Sequence, residues 1–162
     1  MESDEAAGRA RQRDLVRRGY DRISLAYRSD DGAAALSSLR RARRLVPAAR
    51  FVQADMAALQ LSPASADAVV AFYSLIHVPV TDQQELFPRI RCWLRPGGYF
   101  LAIVGAWRWT GTAPYLGAEM YWDHADTATY LRWLQAARLT PIWHRYIPEG
   151  SSGHTLVLAG AS

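Results

Sequence analysis

Asp67-Ala68-Val69-Val70-Ala71-Phe72-Tyr73-Ser74-Leu75-Ile76-His77-Val78-Pro79 is the stretch on which the fold turns. Ala68 to Tyr73 is an unbroken apolar run with the length and β-branched content of a strand buried in a parallel sheet. Ser74 and His77 follow at its end. Downstream, Thr81-Asp82-Gln83-Gln84 offers a helix start, and Leu86, Phe87, Ile90, Trp93 and Leu94 give the helical stripe behind it. Pro96-Gly97-Gly98 breaks that helix, and Tyr99 to Gly105 reads as a further strand. Tyr130 to Leu139 has helical periodicity. Ile142 to Ile147 and Thr155 to Leu158 read as a closing antiparallel pair around the turn Pro148-Glu149-Gly150-Ser151-Ser152-Gly153.

Upstream, Ser62-Pro63-Ala64-Ser65 is a loop and Phe51-Val52-Gln53-Ala54-Asp55 reads as a short strand ending in a carboxylate. Ala33 to Leu45 has helical composition and Pro47 stops it. Leu15, Val16, Tyr20, Ile23 and Tyr27 recur at helical spacing, with a loop at Ser29-Asp30-Asp31-Gly32 behind them. Residues 1–12 are charged and alanine-rich without apolar periodicity and are expected as a disordered lead-in to one domain over 13–162. Alternating strands and helices predict an α/β domain with a mostly parallel sheet, an antiparallel C-terminal hairpin and helices on both faces. Ligands of such sheets gather at the carboxyl ends of strands. Asp55, Tyr73, Ser74, His77 and Trp107 fall there.

Composition narrows the function classes. Of 162 residues half are hydrophobic and 21% charged, as in globular proteins rather than disordered ones. All nineteen basic residues are arginine. Apart from Arg40, Arg41, Arg43, Arg44 and Arg50 they are scattered, with no aromatic residues interleaved for base stacking, so nucleic acid is not an expected partner. The single cysteine, Cys92, is expected to pack as a small hydrophobe. No CxxC pair or close histidine pair suggests a metal. The acidic start and the lack of a long apolar run argue against a secretory signal and a membrane span, so a cytoplasmic location is expected. No serine-hydrolase elbow, phosphate loop or zinc-protease helix is present.

The segments Phe51 to Met56, Asp67 to Pro79 and Trp93-Leu94-Arg95-Pro96-Gly97-Gly98 resemble, in order and spacing, the centre of small-molecule class I S-adenosylmethionine-dependent methyltransferases. The likeness extends to Trp109-Thr110-Gly111, Leu116-Gly117 and Met120-Tyr121-Trp122-Asp123-His124. Gly19-Tyr20-Asp21-Arg22-Ile23 looks like the helix over the cofactor in that family. The resemblance implies that Asp55 and Met56 stand at the adenine-contacting position. It also implies a strand and glycine-rich turn for the methionine end of the cofactor, yet no G-x-G occurs in this chain. The expected sheet is therefore an incomplete Rossmann-like one. The strand ending at Asp55 must find another neighbour or leave an edge for a second subunit, so a homodimer is expected.

With the ribose and methionine contacts gone, Asp55 reads rather as an exposed carboxylate than as a cofactor ligand, and no cofactor is expected. The resemblance leaves a pocket for a small organic substrate, lined by Tyr20, Tyr73, Trp107, Tyr121 and Trp122. Asp126, in the same aromatic and acidic cluster, is also expected to contact the substrate. His77 and His124 are the candidates for proton transfer, each open to a purely structural reading. Glu149 and His154, flanking the last turn, read as structural. The expected activity is a cyclisation, isomerisation or dehydration without methyl transfer. The alternatives are a methyltransferase that binds S-adenosylmethionine through a rebuilt site, and a non-catalytic protein that binds a ligand or partner.

Overall fold

The computed structural model describes the backbone of residues 2–26 and 34–162 and the side chains of 4–18 and 39–162. The expected loop at 29–32 and the side chain of Tyr20 lie outside the described residues. The chain forms two compact units, Met1–Asp55 with Thr112–Tyr121, and Met56–Gly111 with Trp122–Ser162.

In the first unit α1 spans Glu2–Ala26 and α2 spans Ala34–Leu45. The helix thus starts well ahead of Leu15 and takes in most of the expected lead-in. Ala, Glu and Arg dominate there and have high helix propensity, and Asp14 pairs with Arg17 at 2.6 Å and Arg18 at 3.0 Å on the next turn. Apolar periodicity was the wrong indicator for so polar a helix. Residues 51–55 form no strand, against expectation. A strand is held by hydrogen bonds to a neighbour, and no strand pairs with this segment among the described residues.

The second unit is built on β1 (Ala66–Ala71), a 3-10 turn at Leu75–His77, α3 (Val80–Trp93), β2 (Leu94–Gly105), α4 (Thr127–Ala136), β5 (Leu139–Glu149) and β6 (Ser152–Ala161). The four strands lie in the order β1-β2-β6-β5. β1 runs parallel to β2, with Val69 opposite Phe100 and Ala71 opposite Ala102. β2–β6 and β5–β6 are antiparallel. The class is the α/β one expected, and its parallel part is this one pair because the segment at 51–55 adds no strand. β3 (Trp109–Tyr115) and β4 (Ala118–His124) form a separate two-stranded sheet, over a stretch in which sequence reading assigned no strands.

Period-two alternation sorts the sheet's side chains. Phe100, Ala102, Val104, Val157, Ala159 and Ala161 point to one face, where they pack with Leu86, Phe87 and Ile90 of α3 and Tyr130 and Leu134 of α4. Phe87 is the hub, 6.0 Å from Phe100 and 6.2 Å from Tyr130 in edge-to-face geometry. Cys92 falls off this stripe and is exposed, contrary to the packed position expected of it. The other face carries Val70, Tyr99, Leu101, Leu156, Leu158 and Trp143 in register. It was also expected to lie under helices. Within this unit it stays open, with Val70 56% and Tyr99 51% exposed.

Candidate functional site

The carboxyl end of β1 and β2 meets the hairpin end of β5 and β6, and titratable groups collect there on the open face. Just past β1 the chain turns at Tyr73, whose φ of +50° is rare for a residue with a bulky side chain and stores local strain. That turn brings the ring edge-on to His154 of β6, 5.5 Å between centroids. The Tyr73 hydroxyl donates to Glu149 Oε1, and His154 Nδ1 lies 3.0 Å from Glu149 Oε2. One carboxylate therefore bridges a phenol and an imidazole. β5 and β6 are joined by the two-residue turn Gly150-Ser151, with Gly150 at φ +58°, and Glu149 opposite Ser152 puts Glu149 and His154 on the same face.

His124 completes the group. Its ring lies 6.3 Å from that of His154 and Nδ1 is 2.6 Å from the Trp107 carbonyl. Burial lowers its pKa below the ordinary histidine value, against the opposing pull of the Trp107 and Ala125 carbonyls. Gly105 is required beneath it, because a Cβ at that position would run into the His124 ring and sit 2.5 Å from the Ala125 carbonyl. From His124 the rings continue to Trp109 at 6.3 Å, Trp122 at a further 5.8 Å and His77 at a further 5.6 Å. The two expected proton-transfer histidines are thus at opposite ends of an aromatic ribbon rather than side by side. A cavity of about 310 Å³ lies on the open face, lined by Trp143, Arg145, Ile147 and Leu156. Ile147 is the cross-strand partner of His154.

Other expected site residues are employed elsewhere. Asp126 caps α4, accepting from the Thr129 amide at 2.7 Å, a bond that lowers its pKa. Trp107 packs 6.0 Å from Tyr146, which alternates to the opposite face from His154. Tyr121 is buried in β4. Asp123 accepts from the Val80 amide at 2.8 Å and the Thr110 hydroxyl at 2.7 Å, while Gln83 donates to the Val78 and Asp123 carbonyls, each at 2.6 Å, and accepts from Tyr130. This buried network ties β4 to the start of α3. For the cofactor, Asp55 is ion-paired with Arg13 at 3.0 Å and Met56 packs into the core of the second unit. Among the described residues no group of three or more His, Cys, Asp or Glu could hold a metal ion, and no helix is long and apolar enough to cross a membrane.

Sequence reading named Glu149 and His154 as structural. Their signal was the spacing of five across a glycine-bearing turn, which in a two-residue hairpin puts both side chains on one face as diagonal neighbours.

A family model described as a methyltransferase domain matches residues 29–98. No curated protein matches the chain. Among solved structures, it is similar to the 1,6-didemethyltoxoflavin-N1-methyltransferase of Burkholderia thailandensis at 20% identity and TM-score 0.59, covering 80% of this chain and 58% of that one. A putative S-adenosylmethionine-dependent methyltransferase from Listeria monocytogenes matches at 13% identity and TM-score 0.66, over 78% and 76% of the two chains. The [4+2]-cyclase SpnF matches at 16% identity and TM-score 0.56, over 76% and 60%. The chain therefore spans less than two thirds of the length of several structures it matches. These likenesses, at 20% identity or below, are likenesses of fold, and the methyltransferase-domain match covers residues 29–98, less than half of the chain.

Proposed function

We propose that this chain acts on a small organic substrate without methyl transfer, as an isomerase, cyclase or dehydratase that uses the carboxyl end of a methyltransferase-type sheet. The observation that carries the reading is the gathering of Tyr73, Glu149, His154 and His124 at that end, with a cavity on the same sheet face as His154 and Glu149. Proton transfer by a positioned side chain contributes about 10²–10⁴-fold in rate, and holding a substrate in a reactive conformation contributes further, neither requiring a cofactor. Two further points support it. The sequence has no G-x-G turn, and Asp55 is engaged by Arg13. A protein whose name gives its activity as a [4+2]-cyclase shares the fold.

Calorimetric titration with S-adenosylmethionine tests the reading. Absence of binding at millimolar concentration is the expected result. Micromolar binding, with methyl transfer to any small acceptor, overturns it in favour of a methyltransferase with a rebuilt cofactor site.

A further inference from the structure

We propose that Glu149, His154 and Arg145 form an acid–base site on the open sheet face that takes a flat, unsaturated organic carboxylate, with His154 as the proton-transferring group. The inference rests on the non-methylating reading above and names the residues and substrate class for it.

The first argument is the tautomer. An ionised carboxylate only accepts hydrogen bonds, so the 3.0 Å contact to Glu149 Oε2 is made by an Nδ1–H, and in the neutral imidazole the lone pair then stands on Nε2. Carboxylate behind imidazole is the arrangement by which a histidine is held in one orientation and its protonated form stabilised. Tyr73 is a positioning residue. Its hydroxyl occupies the other oxygen of Glu149, so the carboxylate cannot swing away from His154.

The second argument is the cavity. Ile147 lies opposite His154 and Arg145 lies opposite Leu156, so the cavity wall begins in the same cross-strand row as the imidazole. Two residues along a strand span about 7 Å, the offset between the His154 and Arg145 rows. Trp143, Ile147 and Leu156 give the lining its apolar surface. Arg145 is the one charged group of this lining and has no carboxylate partner among the described residues. A guanidinium in an apolar cleft is complementary to an anion, and its planar fork suits a carboxylate. An organic acid with a conjugated or aromatic body satisfies every element of this lining.

The step balances without a co-reactant. His154 Nε2 takes a proton from a carbon of the conjugated substrate, the C–H electron pair enters the π system, and the same proton returns at another carbon. The product is an isomer.

5-Nitrobenzisoxazole is a suitable probe. Removal of its ring C–H proton breaks the N–O bond and yields a nitrile and a coloured phenolate. The wild-type protein is expected to exceed free imidazole at equal concentration, with His154→Ala losing about a hundredfold. Glu149→Gln, which keeps the shape, is expected to lower kcat and leave KM for the probe unchanged. trans-Cinnamate should inhibit competitively, about tenfold more weakly against Arg145→Gln. A wild-type rate no greater than imidazole, an unchanged rate in His154→Ala, or equal cinnamate inhibition of Arg145→Gln each overturns the proposal. If His124→Ala instead abolishes the rate, proton transfer without a cofactor survives and this site does not.

Discussion

The two faces of the four-stranded sheet are made by alternate residues of the same strands, yet they obey different rules. On one face Phe100, Ala102 and Val104 of β2 and Val157, Ala159 and Ala161 of β6 are buried under α3 and α4. On the other, Tyr99 and Leu101 of β2 and His154, Leu156 and Leu158 of β6 remain at least partly open. The buried face mixes alanine with large residues, as close packing against helices demands. The open face carries the histidine, the carboxylate and the arginine. In β2 and β6 burial is concentrated on one side of the strand and titratable groups on the other.

Substitutions on the two faces should therefore separate cleanly. The largest effect is expected at the buried face, where Phe100→Ala should cost about 3–5 kcal/mol by denaturant unfolding. Next comes the network beneath α3. Gln83→Ala leaves the Tyr130 hydroxyl and two carbonyls without their partner and should cost about 1–3 kcal/mol.

A smaller, pH-dependent effect belongs to His124, which faces His154 and Asp123. Its folded-state pKa is depressed, so below about pH 6.5 the unfolded chain takes up a proton that the folded one resists. Its stabilising contribution is complete above that pH and is lost as pH falls. Thermal melts between pH 8 and 5 should show the loss, and His124→Asn should reduce the slope. The smallest effect is expected at Trp143→Ser on the open face, within about 0.5 kcal/mol of wild type. A cost above about 2 kcal/mol there would mean that this face is covered in solution, and the contrast between the faces would fail.

Much of the second unit was legible in the sequence because its signals are strong and local. The apolar run ending at Tyr73, the stripe from Leu86 to Trp93 and the glycine-bearing final turn all name their own structure. The segment at 51–55 misled because strand formation depends on a neighbour, and local composition does not supply one. The first helix was missed in its opening half because Ala, Arg and Glu form helices by propensity with no apolar stripe to announce it. At the site, His77 and His124 were found as histidines near strand ends. Glu149 and His154 were set aside because their relation exists only once the register of β5 and β6 is fixed. Asp126, expected at the substrate, caps α4.

The two-residue turn at Gly150-Ser151 has a consequence for how this site can be inherited. β6 is anchored on its far side by seven residue pairs to β2, whereas β5 pairs with β6 alone among the described strands. One residue inserted in the turn would leave β6 in place and, unless a bulge absorbed it, turn β5 over, sending Glu149, Ile147, Arg145 and Trp143 to the opposite side from His154. Point changes can drift through this hairpin one at a time. A change in its length would discard the carboxylate, the arginine and the cavity wall together, so descendants that keep the chemistry should keep the length of the turn even where they replace its residues.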